Sequence, residues 1–301
     1  MSLLFKLRSM SVSPSSSTKE TASMIRSSLL GRWALGLLVL LAGSASVPAV
    51  DLYVTGFDFT TQRNVFGKID SGTGVYSQLN SDIGGNAGNS TSGLAWNPNI
   101  SNFNMLRDDG TFSTITTTGT MSSVATGLTY GALAYNPATS TMYSVNGSAL
   151  NTVNPATGAQ SNIGSPGVSA IGGIAFVNGT MYGTTVKFVG FSFDYRYGSF
   201  NLSTGEFTAI TGSNDSAYDK MRLAYDGTTL FGLGLGYTTL YTMNPTTGAY
   251  TTLTAVTGLG NRQFFAMSVP FAVPEPSTYA LAAIATGVMA AIARRRKAAR
   301  A

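Results

Sequence analysis

The feature that most constrains the fold of this 301-residue chain is a segment that recurs along it. The segment reads GLAWNP at 93–98, ALAYNP at 132–137, GIAFVNG at 173–179 and RLAYDG at 222–227, with a degenerate copy, FFAMSV, at 264–269. The alanines of successive copies are 39, 41, 49 and 42 residues apart. A period of about 40–45 residues is typical of the blades of a β-propeller. The spacing therefore predicts a ring of similar small sheets.

A second mark, a Thr-Gly turn, repeats with the first. The turn glycines are 45, 39, 47 and 43 residues apart: Gly74, Gly119, Gly158, Gly205 and Gly248. In the copies that begin Asn154-Pro155 and Asn244-Pro245, the asparagine starts an Asx-type turn, the proline presets φ, and the glycine takes a positive φ. We expect these turns to join the two outer strands of each unit.

Each unit contains four segments of strand length. In the clearest unit they are 132–137, 141–145, 149–153 and 159–163. Four strands in about 43 residues make one propeller blade, so we predict an all-β, five-bladed propeller. The alternatives are a six-bladed ring with one degenerate unit and a β-solenoid, although a solenoid favours shorter periods of roughly 20–30 residues.

The two ends of the predicted body, residues 50–271, complement each other. Segments 51–56, 65–70 and 75–79 lack the first strand of the pattern, and 264–269 is that missing strand. We expect both ends to share one blade, because this closes the ring and removes open sheet edges. The small alanine suits a crowded innermost strand, and the aromatic residue beside it can pack between blades. The body resembles secreted propellers with a Leu-Tyr … Asp/Asn-x-x-Thr-Gly … Gly-Leu-Ala repeat, which implies a fold and not a function.

Composition excludes several kinds of chemistry. The chain has no histidine and no cysteine, which excludes Ser-His-Asp triads, thiolate metal sites and disulfides. Ten of its 18 basic residues and two of its 13 acidic ones lie in the two terminal segments, so the body has a net charge of about −3. No basic patch remains to neutralise phosphates, and we predict no nucleic-acid partner. We also predict no metal and no cofactor.

Residues 1–49 have the pattern of a signal peptide. The apolar stretch at 32–49 follows basic residues and has the length of a signal-peptide core. The small residues Val47 and Ala49 predict cleavage by signal peptidase before Val50, with Ala45 as a second position. The stretch before this core is long for a signal, which suggests that translation starts at Met24. The alternative is a retained membrane anchor.

The tail, residues 272–301, has three parts in order. A Pro-Glu-Pro step is held extended because proline fixes φ, an apolar 15-residue stretch at 279–293 is predicted to be helical, and a basic cluster follows. The residues of the motif are Val273, Pro274, Glu275, Pro276, Ser277, Thr278, Arg294, Arg295 and Arg296.

This tail resembles the PEP-CTERM sorting signal of Gram-negative bacteria. The resemblance implies that an exosortase, a membrane protease-transpeptidase, processes the tail during export to the cell surface or the extracellular space, after a transient stay in the inner membrane. The alternative is an ordinary C-terminal anchor, but the apolar stretch is shorter than the roughly 20 residues that span a bilayer.

The longest spacing between repeats comes from an insertion at 186–199, VKFVGFSFDYRYGS. From Phe191 onward aromatic and other residues alternate, which predicts a hairpin with an aromatic row on one side. Such a row can stack on sugar rings or bind another protein; alternatively, it packs on a neighbouring blade. The predicted ligand surface consists of Phe193, Asp194, Tyr195, Arg196 and Tyr197.

Carboxylates are the remaining candidates for catalysis. A glycosidase needs a pair of them, but Glu206 follows the Gly205 turn on an outer strand, and the aspartates show no recognisable spacing. We therefore predict no catalytic residues, and a binding or structural role linked to exopolysaccharide or to other surface proteins, as is typical of the PEP-CTERM proteins that the tail resembles. The alternative is a carboxylate-dependent, glycan-active enzyme on a propeller fold.

Overall fold

The computed structural model describes residues 48–84, 91–210, 215–234, 236 and 238–271. The predicted signal core up to and including Val47, the sorting motif and the 279–293 stretch predicted to be helical lie outside the described residues. Ala49 is described and has no regular secondary structure.

Within the described residues the body consists of β-strands and one short 3₁₀ helix, Ser216–Tyr218. The strands are β1 (Asp51–Asp58), β2 (Arg63–Asp70), β3 (Tyr76–Asn80), β4 (Thr91–Asn97), β5 (Asn102–Arg107), β6 (Phe112–Ile115), β7 (Met121–Ala125), β8 (Ala132–Asn136), β9 (Thr141–Val145), β10 (Leu150–Val153), β11 (Gln160–Gly164), β12 (Ala170–Val177), β13 (Thr180–Val189), β14 (Ser192–Phe200), β15 (Phe207–Ala209), β16 (Arg222–Tyr225), β17 (Leu230–Leu233), β18 (Thr239–Met243), β19 (Tyr250–Ala255) and β20 (Arg262–Ser268).

These strands form five four-stranded antiparallel sheets. Blade 1 is β20-β1-β2-β3, blade 2 is β4 to β7, blade 3 is β8 to β11, blade 4 is β12 to β15, and blade 5 is β16 to β19. The prediction of a five-bladed propeller is confirmed for the described body, and the six-bladed and solenoid alternatives are wrong. The structure is not a solenoid because the strands form five separate four-stranded sheets and do not continue from one repeat into the sheet of the next.

The predicted closure of the ring is also confirmed. Strand β20 pairs antiparallel with β1, with Met267 opposite Val54 and Ala266 opposite Thr55. The first blade therefore takes its innermost strand from the C-terminal end of the body and its other three from the N-terminal end. This pairing protects an inner sheet edge that would otherwise be open.

The apolar core of the described body is divided among the junctions between blades. At one junction Ala134 of blade 3 packs with Ile174 and Phe176 of blade 4, and at another Ala266 of blade 1 packs with Leu94 of blade 2. The repeated alanines are only 3–6% exposed. A larger side chain in their place would push the innermost strands apart, which explains the small residue.

The Thr-Gly turns have the expected geometry. The side-chain oxygen of Asn154 accepts hydrogen bonds from the N–H groups of Ala156 (2.9 Å) and Thr157 (3.2 Å), and the N–H of Gly158 donates to the Asn154 carbonyl at 2.8 Å. Each turn joins the third and fourth strands of a blade. The turn glycines have φ values from +73° to +90°, a region that glycine occupies without steric cost.

The antiparallel order separates two ends of the ring. The upper end, where the innermost strands β4, β8, β12, β16 and β20 begin, carries the connections between blades and the loops between second and third strands. The lower end carries the remaining turns. Strand β1 begins and strand β20 ends at the lower end, so both ends of the described body lie there.

Candidate ligand-binding face

The insertion in blade 4 forms the predicted hairpin. Strands β13 and β14 pair from Met181 opposite Phe200 to Val189 opposite Ser192, and Gly190 and Phe191 make the turn. Gly190 has a φ of +62°, as the first residue of a type II′ hairpin turn requires. Because this hairpin joins the second and third strands of its blade, its tip projects at the upper end.

Exposure decreases steadily along the aromatic row of this hairpin. Phe191 is fully exposed and Phe193 is 52% exposed, whereas Tyr195 is partly buried and Tyr197 is fully buried. Phe193 contacts Phe188 edge-on, with ring centroids 5.1 Å apart, and stacks on Tyr195 at 6.0 Å. Phe188, Phe191 and Phe193 therefore form an exposed group, which we call the aromatic tip.

The base of the row packs against blade 5. The Tyr197 hydroxyl donates to the Pro245 carbonyl at 3.0 Å, and its ring stacks on those of Tyr182 and Tyr218. Burial raises the pKa of Tyr197 well above its usual value. The ring of Tyr197 thus adds no area to the predicted ligand surface, and the packing interpretation describes this part of the row.

The polar residues of the predicted surface form an ion pair. Arg196 Nε donates to Asp194 Oδ2 at 2.7 Å, and Lys187 lies opposite Asp194 across the hairpin. Alternation along β14 places these charges on the face opposite to the aromatic row. The hairpin therefore combines one aromatic face and one charged face near its tip.

A cavity of about 460 Å³ opens at the upper end of the ring. Its walls are Asp108, Tyr130, Gly131, Ala132, Val145, Asn146, Gly147, Ser148, Val168, Ser169, Ala170, Ile171, Arg222 and Phe265. These residues come from all five blades and the connections between them. Sequence analysis missed this site, although Arg222 gave a signal: it is the charged residue at a repeat position where Gly93, Ala132 and Gly173 stand in other copies.

The hairpin and the cavity are directly linked. The Phe188 N–H donates to Ser169 Oγ at 2.9 Å, and Ala170 pairs with Val186 at the start of the hairpin. Both Ser169 and Ala170 line the cavity. The aromatic tip and the cavity therefore belong to one face of the molecule, the upper end.

The carboxylates considered for catalysis lie in turns and ion pairs. Asp58 is buried and contacts Arg262 at 2.7 Å, Asp109 contacts Arg107 at 3.0 Å, and Glu206 is exposed immediately before the outer strand β15. Burial raises the pKa of Asp109, but hydrogen bonds from Thr111 and the charge of Arg107 outweigh it and lower the pKa overall. In the part of the chain that the structure describes, acidic side chains form no group of three or more that could hold a metal ion.

Residues 272–297 match the family model of the PEP-CTERM protein-sorting motif, which confirms the resemblance of the tail. The match covers the Pro-Glu-Pro step, the apolar stretch and the basic cluster through Lys297. Among the described residues, which exclude this tail, no helix is long and apolar enough to cross a membrane. No curated protein matches the chain.

The chain is similar to several solved structures. A chain from a nidogen/laminin complex is 11% identical, with 74% of this chain and 82% of that chain covered and a TM-score of 0.48. A protein of unknown function from Bacteroides thetaiotaomicron is 18% identical, with 68% and 50% covered and a TM-score of 0.41. Similarities this low carry no information on function. The family match is specific: the chain carries a PEP-CTERM sorting motif, which implies processing by an exosortase and export to the cell surface or the extracellular space.

Proposed function

We propose that the protein is a non-catalytic component of the cell surface or extracellular matrix, and that its upper end binds exopolysaccharide. The observation that carries this proposal is the aromatic tip, in which Phe188, Phe191 and Phe193 are 53%, 104% and 52% exposed. Large apolar side chains grouped in water mark binding surfaces more often than isolated ones do. A two-stranded hairpin also fixes their backbone, which reduces the entropy lost on binding.

The chemistry of the tip suits sugar rings. Aromatic faces can pack against the apolar faces of pyranose rings. On the opposite face of the hairpin, the Asp194–Arg196 pair offers charged hydrogen-bonding groups to the hydroxyls of another part of the same polysaccharide. The net negative charge of the body does not favour a strongly acidic partner. Another surface protein is the competing ligand, since an aromatic tip also fits a protein groove.

Delivery to the matrix follows from the two terminal segments. We propose that signal peptidase removes residues 1–49, that the 279–293 stretch holds the chain briefly in the inner membrane, and that an exosortase then processes the tail. The host is expected to be a Gram-negative bacterium that makes exopolysaccharide, so the propeller would function in a biofilm matrix.

A pull-down with host exopolysaccharide tests the binding role. The exported protein is compared with a Phe191→Ser/Phe193→Ser variant, which removes two exposed rings without touching the core, and with Ile100→Ser, a control at the lower end where Ile100 is 45% exposed. We expect the tip variant to lose most binding and Ile100→Ser to retain it, with unchanged melting temperatures. Equal binding by all three proteins would contradict the role of the tip. Hydrolysis of chromogenic glycosides that one aspartate substitution abolishes would favour an enzyme instead.

A further inference from the structure

We propose that the cavity at the upper end binds one neutral hexopyranose residue, either a free sugar or the terminal residue of a glycan. This site is separate from the aromatic tip, and the proposal does not depend on polysaccharide binding there.

The size and origin of the cavity fit a small ligand. Its volume of about 460 Å³ lies within the range of roughly 300–1,000 Å³ found for small-molecule sites. Asp108 comes from blade 2, Ser148 from blade 3, Arg222 from blade 5 and Phe265 from blade 1. The site therefore exists only in the closed ring.

The walls combine polar groups with apolar surface. Asp108 contributes a carboxylate, and Ser148 and Ser169 contribute hydroxyls. Arg222 contributes a mostly buried guanidinium that donates from Nη1 to the Gly172 carbonyl, which holds its positive charge at the wall of the cavity. Tyr130, Phe265 and aliphatic side chains supply the apolar part. A pyranose has the same division, with hydroxyls at its edge and C–H groups on its faces. One acidic and one basic side chain balance each other, which favours a neutral ligand over a phosphate.

Tyr130 is held by its backbone while its ring extends into solvent. Asn146 Nδ2 donates to the Tyr130 carbonyl at 3.0 Å. The backbone of the preceding residue, Thr129, is also bonded. Its N–H donates to Gln160 Oε1 at 2.9 Å, and its carbonyl accepts from Gln160 Nε2 at 3.0 Å. Tyr130 as a whole is 55% exposed. A rigid segment that presents an exposed ring at a cavity is preorganised for stacking on a ligand.

The arrangement of the serines leaves capacity for a sugar. The Ser148 hydroxyl donates to Asn146 Oδ1 at 3.0 Å, so its oxygen can still accept. Ser169 Oγ accepts from the Phe188 N–H, so its proton can be donated. A sugar hydroxyl both donates and accepts, so it has the groups to bond to either serine.

Ligand-observed saturation-transfer NMR on the exported protein tests the proposal. The probes are the methyl glycosides of glucose, galactose and mannose, with methyl glucuronide and inorganic phosphate as charged comparators. We expect at least one neutral glycoside to bind more tightly than either charged probe. Tyr130→Ala should weaken binding about two- to tenfold through lost ring contact, and Asp108→Asn about tenfold or more through a lost charge-assisted hydrogen bond.

Two controls separate binding in the cavity from binding elsewhere on the protein. Tyr130→Phe keeps the aromatic ring that contacts the sugar, so it should bind within about twofold of the unmodified protein. The Phe191→Ser/Phe193→Ser variant should bind the glycoside unchanged even if it loses exopolysaccharide, so the two proposals fail separately. The inference is overturned if no neutral glycoside binds the folded protein, if Tyr130→Ala binds as well as Tyr130→Phe, or if only a charged probe binds.

Discussion

Single glycines of the Thr-Gly turns serve both the turn and the junction between blades. Gly158 has a φ of +74°, and a Cβ at this position would lie 2.7 Å from the Cβ of Ala125 in blade 2. Gly127 has a similar φ of +80°, but no atom lies within 4 Å of a Cβ there. The pair therefore separates the conformational role of a glycine from its packing role.

Alanine substitutions at these two glycines should differ in effect. Gly127→Ala should lower the free energy of unfolding by about 1–2 kcal/mol, the cost of a left-handed backbone for a residue with a Cβ. Gly158→Ala should cost a further 1–3 kcal/mol or so, because its methyl group also overpacks the junction. Urea unfolding measures the free energy of unfolding of both variants. Equal decreases would show that the contact between blades at Gly158 relaxes freely.

Asp58 joins the two strands that close the ring. It lies at the end of β1 and contacts Arg262 of β20 at 2.7 Å, while its carboxylate accepts from the N–H of Thr60 at 2.8 Å. Burial raises the pKa of Asp58, but hydrogen bonds from Thr60 and Thr61 and the charge of Arg262 outweigh it, so the pKa is lowered overall. Its contribution to stability is therefore present above the unfolded-state pKa of about 3.9 and is lost as the pH falls through the lower folded-state pKa.

The pH dependence of Asp58→Asn tests this contribution. At pH 7 the variant should unfold about 1.5–3 kcal/mol more easily, since it loses a charge-assisted contact. The difference from the unmodified protein should shrink as the pH falls from 5 to about 3, because the unfolded chain takes up a proton at Asp58 more readily than the folded protein does. Urea unfolding at several pH values measures it. A difference that stays constant down to pH 3 would assign the effect to packing.

Among the strands, β20 closes the ring and also connects blade 1 to blade 2. It supplies the innermost strand of blade 1, and its Phe264 is fully buried. Beyond the sheet, Trp96 of blade 2 donates from its backbone N–H to Ser268 Oγ at 2.9 Å and from its indole to the Phe271 carbonyl at 3.2 Å. These bonds hold the end of the closing strand to the next blade around the ring.

Truncation after Gly260 should unfold or aggregate the body. The deletion removes β20, exposes the edge of β1 and opens two junctions between blades. Truncation after Phe271 is the matched control, because it removes only the tail and should leave the melting temperature nearly unchanged. Circular dichroism and size-exclusion chromatography compare the two proteins. A folded monomer from the shorter chain would show that the ring does not need its closing strand.

At the scale of the whole molecule, the two ends of the ring carry different structural features. The described body begins and ends at the lower end, while the aromatic tip and the cavity lie at the upper end. A chain attached through its C-terminal end would therefore carry the proposed ligand-binding face away from the point of attachment.

Cysteine labelling tests this orientation on a chain that contains no cysteine. Phe191→Cys places a thiol at the upper end and Ile100→Cys places one at the lower end. On intact cells that hold the protein, a bulky maleimide should label position 191 faster than position 100. The ratio of the two rates in purified protein is the reference, because position 191 is more exposed than position 100, and on cells this ratio should rise. The same ratio on cells as in purified protein would contradict the orientation.

Substitutions in the tail can separate tail processing from export of the whole protein. Replacing Pro274-Glu275-Pro276 with three alanines should leave export intact, because the predicted signal at 1–49 is unchanged, and should block tail processing, because the extended step is lost. Neutral residues at Arg294–Arg296 should instead weaken the membrane stop and its orientation. Mass spectrometry of the surface-associated protein distinguishes these outcomes. An unmodified chain that still ends at Ala301 in an exosortase-bearing host would contradict this account of the tail.

The sequence by itself determined the number of blades, the closure of the ring and the sorting motif. Each of these depends on residues close together in the chain or on a period along it: four strands between marks, a glycine that a turn requires, a Pro-Glu-Pro step before an apolar run. The strands of the 132–163 unit were accordingly predicted to within one residue of the structure.

The tertiary structure alone decided which side chains meet and which remain exposed. Alternation placed Phe191 and Tyr197 on one side of a strand, but only the packing of blade 5 buries Tyr197, while Phe191 reaches past the sheet into solvent. The cavity likewise joins Asp108, Tyr130 and Arg222, which are far apart in sequence. No local pattern encodes such a site, because it forms where five separate blades converge at one end of a closed ring.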